Sequence, residues 1–272
     1  MEIKSLQLEL LKMMKDFHQV CGANNLKYYM LGGTALGAVR HKGFIPWDDD
    51  MDIGMPRCYY DEFCKKAQTI LPPYLEVRYY KNANKSPFHF VKLINKNTTL
   101  IENRYTDYVE GLYIDVFPLD YMKKNNVFEM IRYKLIKVLH TFIMKHASTE
   151  RQVTIKGKMF TPIAKAIPLK VLHSILEFLM KINNDPKSPD LCNFLGAWGV
   201  REIISQTVFG KPNLYKFEDS EFYGPEKSHD YLKSLYGNYM QPPPIKDQVC
   251  RHNYHYVNLN LPYRDYIKDH SK

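Results

Sequence analysis

The sequence has no uncharged apolar run of about 18 residues, which is what an ordinary membrane-spanning helix requires. Its first residues, Met1-Glu2-Ile3-Lys4, also lack the basic-then-apolar order of a secretory signal peptide. We therefore expect a cytoplasmic protein. Any contact with a membrane would be peripheral, at the inner face of the cell membrane.

Cysteine is scarce, and its spacing argues against two common kinds of site. The five cysteines are odd in number, and none forms a CxxC pair. We therefore expect reduced, mostly structural thiols rather than a disulfide framework. The segment CRHNYH at 250–255 contains zinc-binding residue types. No second half-site with ligand spacing accompanies it, so a zinc site is not expected.

Positive charge is concentrated in one part of the chain. Residues 121–181 contain twelve Lys/Arg and three Glu, an excess of nine that equals the net charge of the whole protein, +9. This local excess predicts an anionic partner. The lysines could bind anionic lipid head groups or a polyanionic acceptor, or form a solvated helix face. No nucleic-acid partner is expected, since the sequence has no stacking motif, zinc finger or helix-turn-helix.

The chain has the composition of a globular protein with a large core: 272 residues, 45% of them hydrophobic and 25% charged. Apolar periodicity predicts helices at 3–20, 61–71, 127–146 and 164–182, a short helix or turn at 34–40, and a further helix at 191–205. Strands are predicted at 26–31, 47–53, 75–80, 88–94, 98–102 and 112–117. The fold class is therefore α+β, with a mixed sheet flanked by helices.

Three aspartates in the predicted strands carry the chemistry. Because side chains alternate along a strand, Asp50 and Asp52 should share one face. If Asp115 lies on a neighbouring strand, the three carboxylates converge, and like charges at that distance need a cation. Carboxylate oxygens suit Mg²⁺ or Mn²⁺, which points to metal-assisted phosphoryl transfer.

A glycine turn precedes these acids. Gly32 and Gly33, at the end of a predicted strand, would let the backbone approach a phosphate. Their N–H groups could form an anion nest together with the Thr34 hydroxyl. Combined with the aspartates, this turn predicts a site for a phosphate-containing substrate.

The acidic run has other interpretations. Asp48, Asp50 and Asp52 have the spacing of a calcium-binding EF-hand loop. However, the sixth loop position is Ile53 instead of Gly, and the twelfth is Tyr59 instead of Glu, so that interpretation fails. A solvated acidic turn is disfavoured, because apolar residues alternate with the acids.

Two later aspartates also have structural alternatives. Asp115 could be a structural carboxylate with no catalytic role. Asp120, just after Pro118, is predicted to cap a helix.

Several blocks of the sequence resemble a known family. Residues 32–41 (GGTALGAVRH) and 43–53 (GFIPWDDDMDI) resemble the signature of the LicD phosphocholine-transferase family, whose relatives include the fukutin-type ribitol-phosphate transferases. Residues 111–120 (GLYIDVFPLD) resemble its next block, and 231–243 (YLKSLYGNYMQPP) its C-terminal block. One departure is Asn238, where that last block often has Asp.

The resemblance implies a nucleotidyltransferase-like fold, a CDP-alcohol donor, commonly CDP-choline, and a lipid-linked glycan acceptor of the teichoic-acid or lipopolysaccharide type. It also implies that Asp50 and Asp52 bind the metal, with Asp48 nearby and Asp115 as the later carboxylate. Residues 1–120 would form the catalytic core, 121–210 a basic helical insertion or subdomain, and 211–272 a segment that packs back on the core.

Four basic residues are further candidates for binding the donor's phosphates. Arg40, His41 and Lys42 lie between the glycines and the acids, where they could meet a diphosphate or form a plain surface loop. Lys92 stands among apolar neighbours in a predicted strand. It could reach the phosphates or face solvent.

Residues in the C-terminal part and the aromatic residues allow further roles. His252 and His255 could act as acid/base groups or phosphate ligands, or be structural. Trp47 and some of the 21 tyrosines could form a cage for a quaternary ammonium. Two other functions stay open: an NTP-using nucleotidyltransferase and a non-catalytic, membrane-associated scaffold.

Overall fold

The computed structural model describes residues 3–83, 86–149, 165–250 and 252–270. Its helices are α1 (Ile3–Ala23), α2 (Gly32–Arg40), α3 (Arg57–Ile70), α4 (Val127–Ala147), α5 (Leu169–Lys181), α6 (Gln206–Phe209), α7 (Ser228–Tyr236) and α8 (Tyr263–His270). Its strands are β1 (Tyr29–Met30), β2 (Asp52–Pro56), β3 (Leu75–Arg78), β4 (Val91–Asn95), β5 (Thr99–Glu102), β6 (Tyr113–Met122), β7 (Asp190–Cys192), β8 (Ile203–Ser205), β9 (Asn213–Phe217), β10 (Ser220–Gly224) and β11 (Tyr254–Asn258).

A mixed sheet of seven strands forms the centre. Its strand order is β1-β2-β6-β4-β3, and β7 and β8 extend it from the far end of β6. The pair β2 and β6 is parallel, whereas the other pairs are antiparallel. Two separate ribbons pair β9 with β10 and β5 with β11. The predicted α+β class is therefore confirmed.

Helix α1 closes one face of this sheet. Its apolar residues recur at the helical period, and Leu10, Met13, Met14 and Phe17 are completely buried. The ring of Phe17 packs edge-on against Tyr28, at 5.2 Å between ring centroids. The predicted opening helix is thus correct and extends three residues beyond its expected end, to Ala23.

Strand β6 runs through a proline that was expected to stop it. Pro118 lies between the part of β6 that pairs with β4, up to Val116, and the part that pairs with β7, from Asp120 onward. Neither β4 nor β7 pairs with β6 at residue 118, so the missing N–H of the proline leaves no carbonyl of these two strands without a hydrogen-bond donor. As a result β6 reaches Met122 and links the part of the sheet that contains Asp115 to β7.

The predicted helix-capping role of Asp120 is wrong. This residue is 0% exposed within β6 and accepts two hydrogen bonds from the Arg57 guanidinium, at 2.7 and 2.6 Å. The Asn184 amide donates to the same carboxylate at 2.5 Å. Helix α4 is capped instead by Asn126, whose side chain accepts from the Glu129 N–H.

The helix predicted at 191–205 is also wrong. The segment forms β7, a 3-10 turn at Gly199–Glu202, and β8, with Leu191 opposite Ile204. Gly199 adopts a positive φ of 63°, which interrupts a helix and favours a turn. Strands β7 and β8, which lie within the predicted helical insertion, therefore belong to the central sheet. The division into three parts stays a prediction.

Helices α4 and α5 pack antiparallel to each other. The Arg132 guanidinium on α4 donates to the carbonyls of Leu179, Met180 and Ile182 at the end of α5. The predicted helix at 164–182 begins later, at Leu169, and its first predicted residue lies outside the described residues, as do Arg151, Lys156 and Lys158 of the basic region. No helix within the described ranges has both the length and the apolar character to cross a membrane.

Candidate active site

The parallel pair β2 and β6 brings two aspartates together. Asp52 opens β2 and lies opposite Asp115 of β6 in the strand register. The backbone there is fixed on both sides, since the Asp115 N–H donates to the Met51 carbonyl at 3.0 Å. The structure therefore places Asp115 on the strand beside Asp52, as the sequence predicted.

Asp50 reaches the same place by a different route from the one expected. The residues 48–51 precede β2, so Asp50 and Asp52 are not on one strand face. Instead, the Asp48 and Asp50 side chains share a hydrogen bond beside Asp52. Desolvation, and then the charge of Asp50, raises the pKa of Asp48 to about 8.

The same crowding affects the two strand residues. Desolvation, with the carboxylates of Asp50 and Asp115, raises the pKa of Asp52 well above its ordinary range. Desolvation also raises the pKa of Asp115 to about 8, although Lys92 opposes it. One Asp115 oxygen, Oδ1, is buried and has no hydrogen-bond partner among the described residues. Ionisation of all these half-buried carboxylates together is therefore unfavourable unless a further cation offsets their charge.

A histidine from the C-terminal part of the chain joins the acids. The Nδ1 of His252 lies 2.7 Å from Asp49 Oδ1, and its Nε2 lies 3.6 Å from Asp50 Oδ2. The hydrogen bond to Asp49 is the main cause that raises the pKa of His252 to about 10. The ring is therefore an imidazolium that bridges two carboxylates. His255 is exposed on β11.

Among the described residues, Asp49, Asp50 and His252 also form a group whose ligand atoms lie within 4.8 Å of one another. Sequence reasoning missed Asp49, which is buried and has one oxygen, Oδ2, without a partner within the described part of the chain. Its signal was only its position within the run of acids. The contact with His252, 203 positions away, had no signal in the sequence.

The glycine turn makes room for the acids. A Cβ on Gly33 would lie 2.6 Å from Asp48 Oδ2, and one on Gly32 would lie 3.1 Å from Asp52 Oδ2. Gly32 also has a positive φ of 48° and begins α2. The Thr34 hydroxyl accepts a hydrogen bond from the Asp52 N–H at 2.8 Å, which ties the turn to β2.

The expected anion nest is only partly available. The Gly32 N–H donates to the Tyr231 hydroxyl at 3.0 Å, so it is already engaged within the protein. Gly33 and Thr34 lie in the first turn of α2, where N–H groups have no partner within their own helix. A phosphate-binding role for this turn stays a prediction, in which the N–H groups of Gly33 and Thr34 would be the hydrogen-bond donors.

A cavity of about 420 Å³ opens beside the acids. Gly32, Gly33, Asp52, Asp115 and His252 lie at its lining. A second side is aromatic and includes a pair of rings 4.3 Å apart, Phe90 and Phe117. The cavity therefore combines a charged end with an apolar wall, as in sites that bind small organic substrates.

Comparison with known proteins identifies the family of this chain. The family model described as LicD/FKTN/FKRP, nucleotidyltransferase domain, matches residues 25–160. That range is half of the chain and contains the glycine turn and the aspartates 48–52 and 115. The chain belongs to the LicD family.

Three relatives extend the comparison. The lipopolysaccharide cholinephosphotransferase LicD of Haemophilus influenzae is 26% identical over 92% of this chain and 96% of its own length. An uncharacterised protein of Rickettsia typhi is 35% identical over 47% of this chain and 39% of its own length. An uncharacterised protein of Rickettsia prowazekii is 47% identical over 26% of each chain.

In this LicD-family chain, Lys92 does not face solvent. It is 1% exposed, and its Nζ lies 2.7 Å from Glu102 Oε1 and 3.0 Å from Glu110 Oε1. Burial lowers the pKa of Lys92, but these two carboxylates outweigh burial and raise it. Lys92 lies opposite Asp115 in the strand register and lines the cavity, so it supplies charge beside that residue. Sequence reasoning missed both glutamates.

Arg40 and His41 do not line the cavity, although they were expected to meet the donor's phosphates. The Arg40 guanidinium donates to the Tyr239 carbonyl at 2.7 Å and to His41 Nε2 at 2.9 Å. The His41 ring packs edge-on against Trp47. Neither basic residue is at the cavity lining, whereas Lys92 is. Phosphate binding by Arg40 and His41 stays a prediction.

Proposed function

We propose that this protein transfers phosphocholine from CDP-choline to a sugar hydroxyl of a lipid-linked surface-glycan precursor, with Mg²⁺ or Mn²⁺ as cofactor. The observation that carries this proposal is the convergence of Asp48, Asp50, Asp52 and Asp115 at a glycine turn beside one cavity. The relative in Haemophilus influenzae, whose name states a cholinephosphotransferase acting on lipopolysaccharide, supports the choice of phosphocholine as the transferred group and of a surface glycan as the acceptor.

The residues fit a divalent cation. Asp50, Asp52 and Asp115 offer oxygen atoms, which Mg²⁺ prefers, and Asp115 Oδ1 has no partner among the described residues. Lys92 and His252 lie nearby, but Lys92 is already paired with two glutamates, and the single charge of His252 is shared between two aspartates. These three aspartates would hold the metal, and the bound ion would offset the charge of the donor's phosphate oxygens.

The protein's own residues would position the reactants. The parallel pairing of β2 and β6 fixes the spacing of Asp52 and Asp115, and the Thr34 hydroxyl holds the Asp52 backbone. The acceptor hydroxyl oxygen would attack the phosphorus next to choline, and the bond to the CMP oxygen would break. The hydroxyl proton would pass to a carboxylate of the cluster, and CMP would leave.

A donor panel tests the proposed function. The purified protein is incubated with Mg²⁺, an acceptor glycan and, separately, CDP-choline, CDP-ethanolamine, CDP-glycerol, CDP-ribitol or each NTP. We expect release of CMP from CDP-choline and phosphocholine on the acceptor. Pyrophosphate release from an NTP would instead support the nucleotidyltransferase alternative. Consumption of no donor at all would favour the non-catalytic scaffold.

Replacing Gly33 by Ala is expected to lower kcat by about 100-fold, because a reacting group displaced by about 1 Å costs that much. The added Cβ would lie 2.6 Å from Asp48 Oδ2, so that carboxylate must move. Gly22→Ala is the matched control, since nothing lies within 4 Å of its added Cβ. Steady-state kinetics of both variants give the comparison. Equal kcat values would contradict the role given to the glycine turn.

We also propose a peripheral membrane contact, now based on an apolar face as well as on the lysines. Two stripes at helical spacing are exposed on the adjacent helices α4 and α5: Phe128, Ile131, Leu135 and Val138, and Val171, Ile175, Phe178 and Ile182. We call these eight residues the apolar face. Phe128 is 81% and Phe178 63% exposed. Large apolar side chains exposed together in this way mark sites that bind a protein or a membrane.

Charge selects an anionic bilayer as the occupant of the apolar face. Exposed lysines, including Lys123, Lys124, Lys134 and Lys170, lie on the same two helices or just before α4. A second copy of the chain would bring lysines against lysines, whereas an anionic lipid surface attracts them. The same α4 contributes Met144 to the cavity lining, so the contact would bring a lipid-linked acceptor near the acids.

The double variant Phe128→Ser/Phe178→Ser is expected to weaken binding to anionic vesicles at least about 100-fold, because burying each Phe contributes about 1.5–3 kcal/mol. Co-sedimentation with phosphatidylglycerol vesicles measures this. Leu8→Ser, which removes an apolar residue of α1 that is 57% exposed, should leave binding unchanged. A dimer of the wild type, lost in the double variant, would assign the apolar face to a second copy instead.

A further inference from the structure

Glu202 lines the cavity and has no cationic partner among the described residues. The residue is 7% exposed. Its Oε1 accepts a hydrogen bond from the Trp198 N–H at 3.3 Å. Within the described ranges, no Lys, Arg or His nitrogen lies within 4.0 Å of its carboxylate. Desolvation raises the pKa of Glu202 to about 7.

The nearest candidate for a partner is engaged elsewhere. The Nζ of Lys137 donates to the Gly196 and Phe194 carbonyls, at 2.8 and 3.3 Å. Gly196 also makes space for the acid, since a Cβ there would lie 2.2 Å from Glu202 Oε1. Glu202 is thus held at the cavity with no cation in direct contact among the described residues, and a cation bound there would favour its charged form.

Two aromatic side chains stand beside this carboxylate. The rings of Trp198 and Tyr236 pack edge-to-face, with centroids 4.7 Å apart and planes at 74°. Trp198 lines the cavity, four residues before Glu202. The Arg201 guanidinium donates to the Leu235 carbonyl at 3.0 Å and so fixes this segment against α7, which carries Tyr236. Aromatic faces attract cations, most strongly when water is excluded.

This group of residues lies next to the acids. The Tyr236 hydroxyl and Asp52 Oδ2 lie 3.7 and 3.1 Å from the same point, the position of a Cβ on Gly32. Asp52 and the hydroxyl of Tyr236 are therefore neighbours beside the glycine turn. A group bound by Trp198 and Glu202 would be connected through a short linker to a phosphate at Asp52.

We propose that Glu202, Trp198 and Tyr236 form the subsite for the quaternary ammonium end of the donor. The proposal rests on the function proposed above and names the residues that select the alcohol. A trimethylammonium group has charge but no N–H, so it needs aromatic faces and an unpaired carboxylate rather than a full set of acceptors. Glycerol or ribitol would place hydroxyl groups in this subsite and leave the charge of Glu202 without a bound cation.

Direct binding tests this subsite independently of turnover. The protein has two tryptophans, so in a Trp47→Phe background the fluorescence reports on Trp198 alone. Phosphocholine and tetramethylammonium are titrated, with phosphoethanolamine as the comparison ligand. We expect saturable fluorescence changes with the first two, and affinity at least about tenfold weaker in Glu202→Gln and in Tyr236→Leu. Glu221→Gln, an exposed glutamate on β10, should not change binding. Circular dichroism confirms that each variant is folded.

Kinetics then separate the subsite from the proposed function. With CDP-choline, Glu202→Gln should raise KM about tenfold and change kcat little, while KM for CDP-glycerol stays the same. The proposal is overturned if Glu202→Gln binds phosphocholine as the wild type does, or if tighter binding of phosphoethanolamine shows a primary-ammonium site. Glu202-dependent binding of phosphocholine without any transfer would instead reject the proposed function and keep the subsite.

Discussion

Replacing Asp52 by Asn is expected to reduce phosphocholine transfer by at least about 10³-fold, and also to raise the melting temperature of the metal-free protein. The loss of activity follows because a metal ligand supplies several kcal/mol of transition-state stabilisation, and each 1.4 kcal/mol is tenfold in rate. The gain in stability follows because Asp52 is desolvated among Asp48, Asp50 and Asp115, which repel its charge. Opposite effects on activity and stability are typical of functional sites.

Two measurements on this variant check both parts. CMP release from CDP-choline gives the activity, and thermal melting in EDTA gives the stability. Asp269→Asn, which removes an exposed aspartate from α8, is the matched control and should change neither. Retained turnover in Asp52→Asn would contradict the catalytic role. A lower melting temperature in EDTA would show that Asp52 is a structural carboxylate.

The variant Arg57→Leu is expected to destabilise the protein by about 3–5 kcal/mol, the cost of leaving a buried charge unpaired. Asp120 is completely buried and accepts both of its close ion-pair hydrogen bonds from Arg57. In a protein of this size the loss corresponds to a fall in melting temperature of roughly 6–20 °C. Thermal or urea unfolding measures it.

The exposed pair Glu76 and Arg264 is the matched control for this prediction. Its Arg264→Leu variant should cost no more than about 1 kcal/mol, because solvent screens the pair. The double variant Arg57→Leu/Asp120→Leu should be less destabilised than Arg57→Leu alone, since no unpaired charge remains. If Arg57→Leu unfolds like the wild type, the buried pair does not stabilise the link between α3 and β6.

Much of the fold could be predicted from local patterns. The spacing of apolar residues predicted α1, and the run of apolar residues in β4 predicted a strand. The segment 191–205 was misread because short strands and a helix cannot be told apart from so few apolar residues. Strand β7 forms by pairing with β6, and β8 by pairing with β7, and the first of these pairings is a tertiary interaction. Local sequence does not encode such pairing.

The candidate site was predictable where its residues are close in sequence. Asp52 and Asp115 could be proposed because each acid is flanked by apolar residues that place it in a strand. For His252 several roles were possible, and its contact with Asp49 could not be predicted, because the two residues are 203 positions apart. Glu202 reaches the cavity from a distant part of the chain, and nothing in the local sequence marks Glu110 as a partner of Lys92. A charge in an apolar run, as at Lys92, indicates a buried partner but does not identify it.

The most direct test of the metal site is calorimetric titration of Mn²⁺ into the wild type and into Asp115→Asn, each with and without CDP-choline. The account predicts saturable binding in the wild type, strengthened by the donor, and its loss in a folded Asp115→Asn. It is contradicted if the wild type binds no Mn²⁺ in either condition, or if Asp115→Asn binds the ion as tightly as the wild type does.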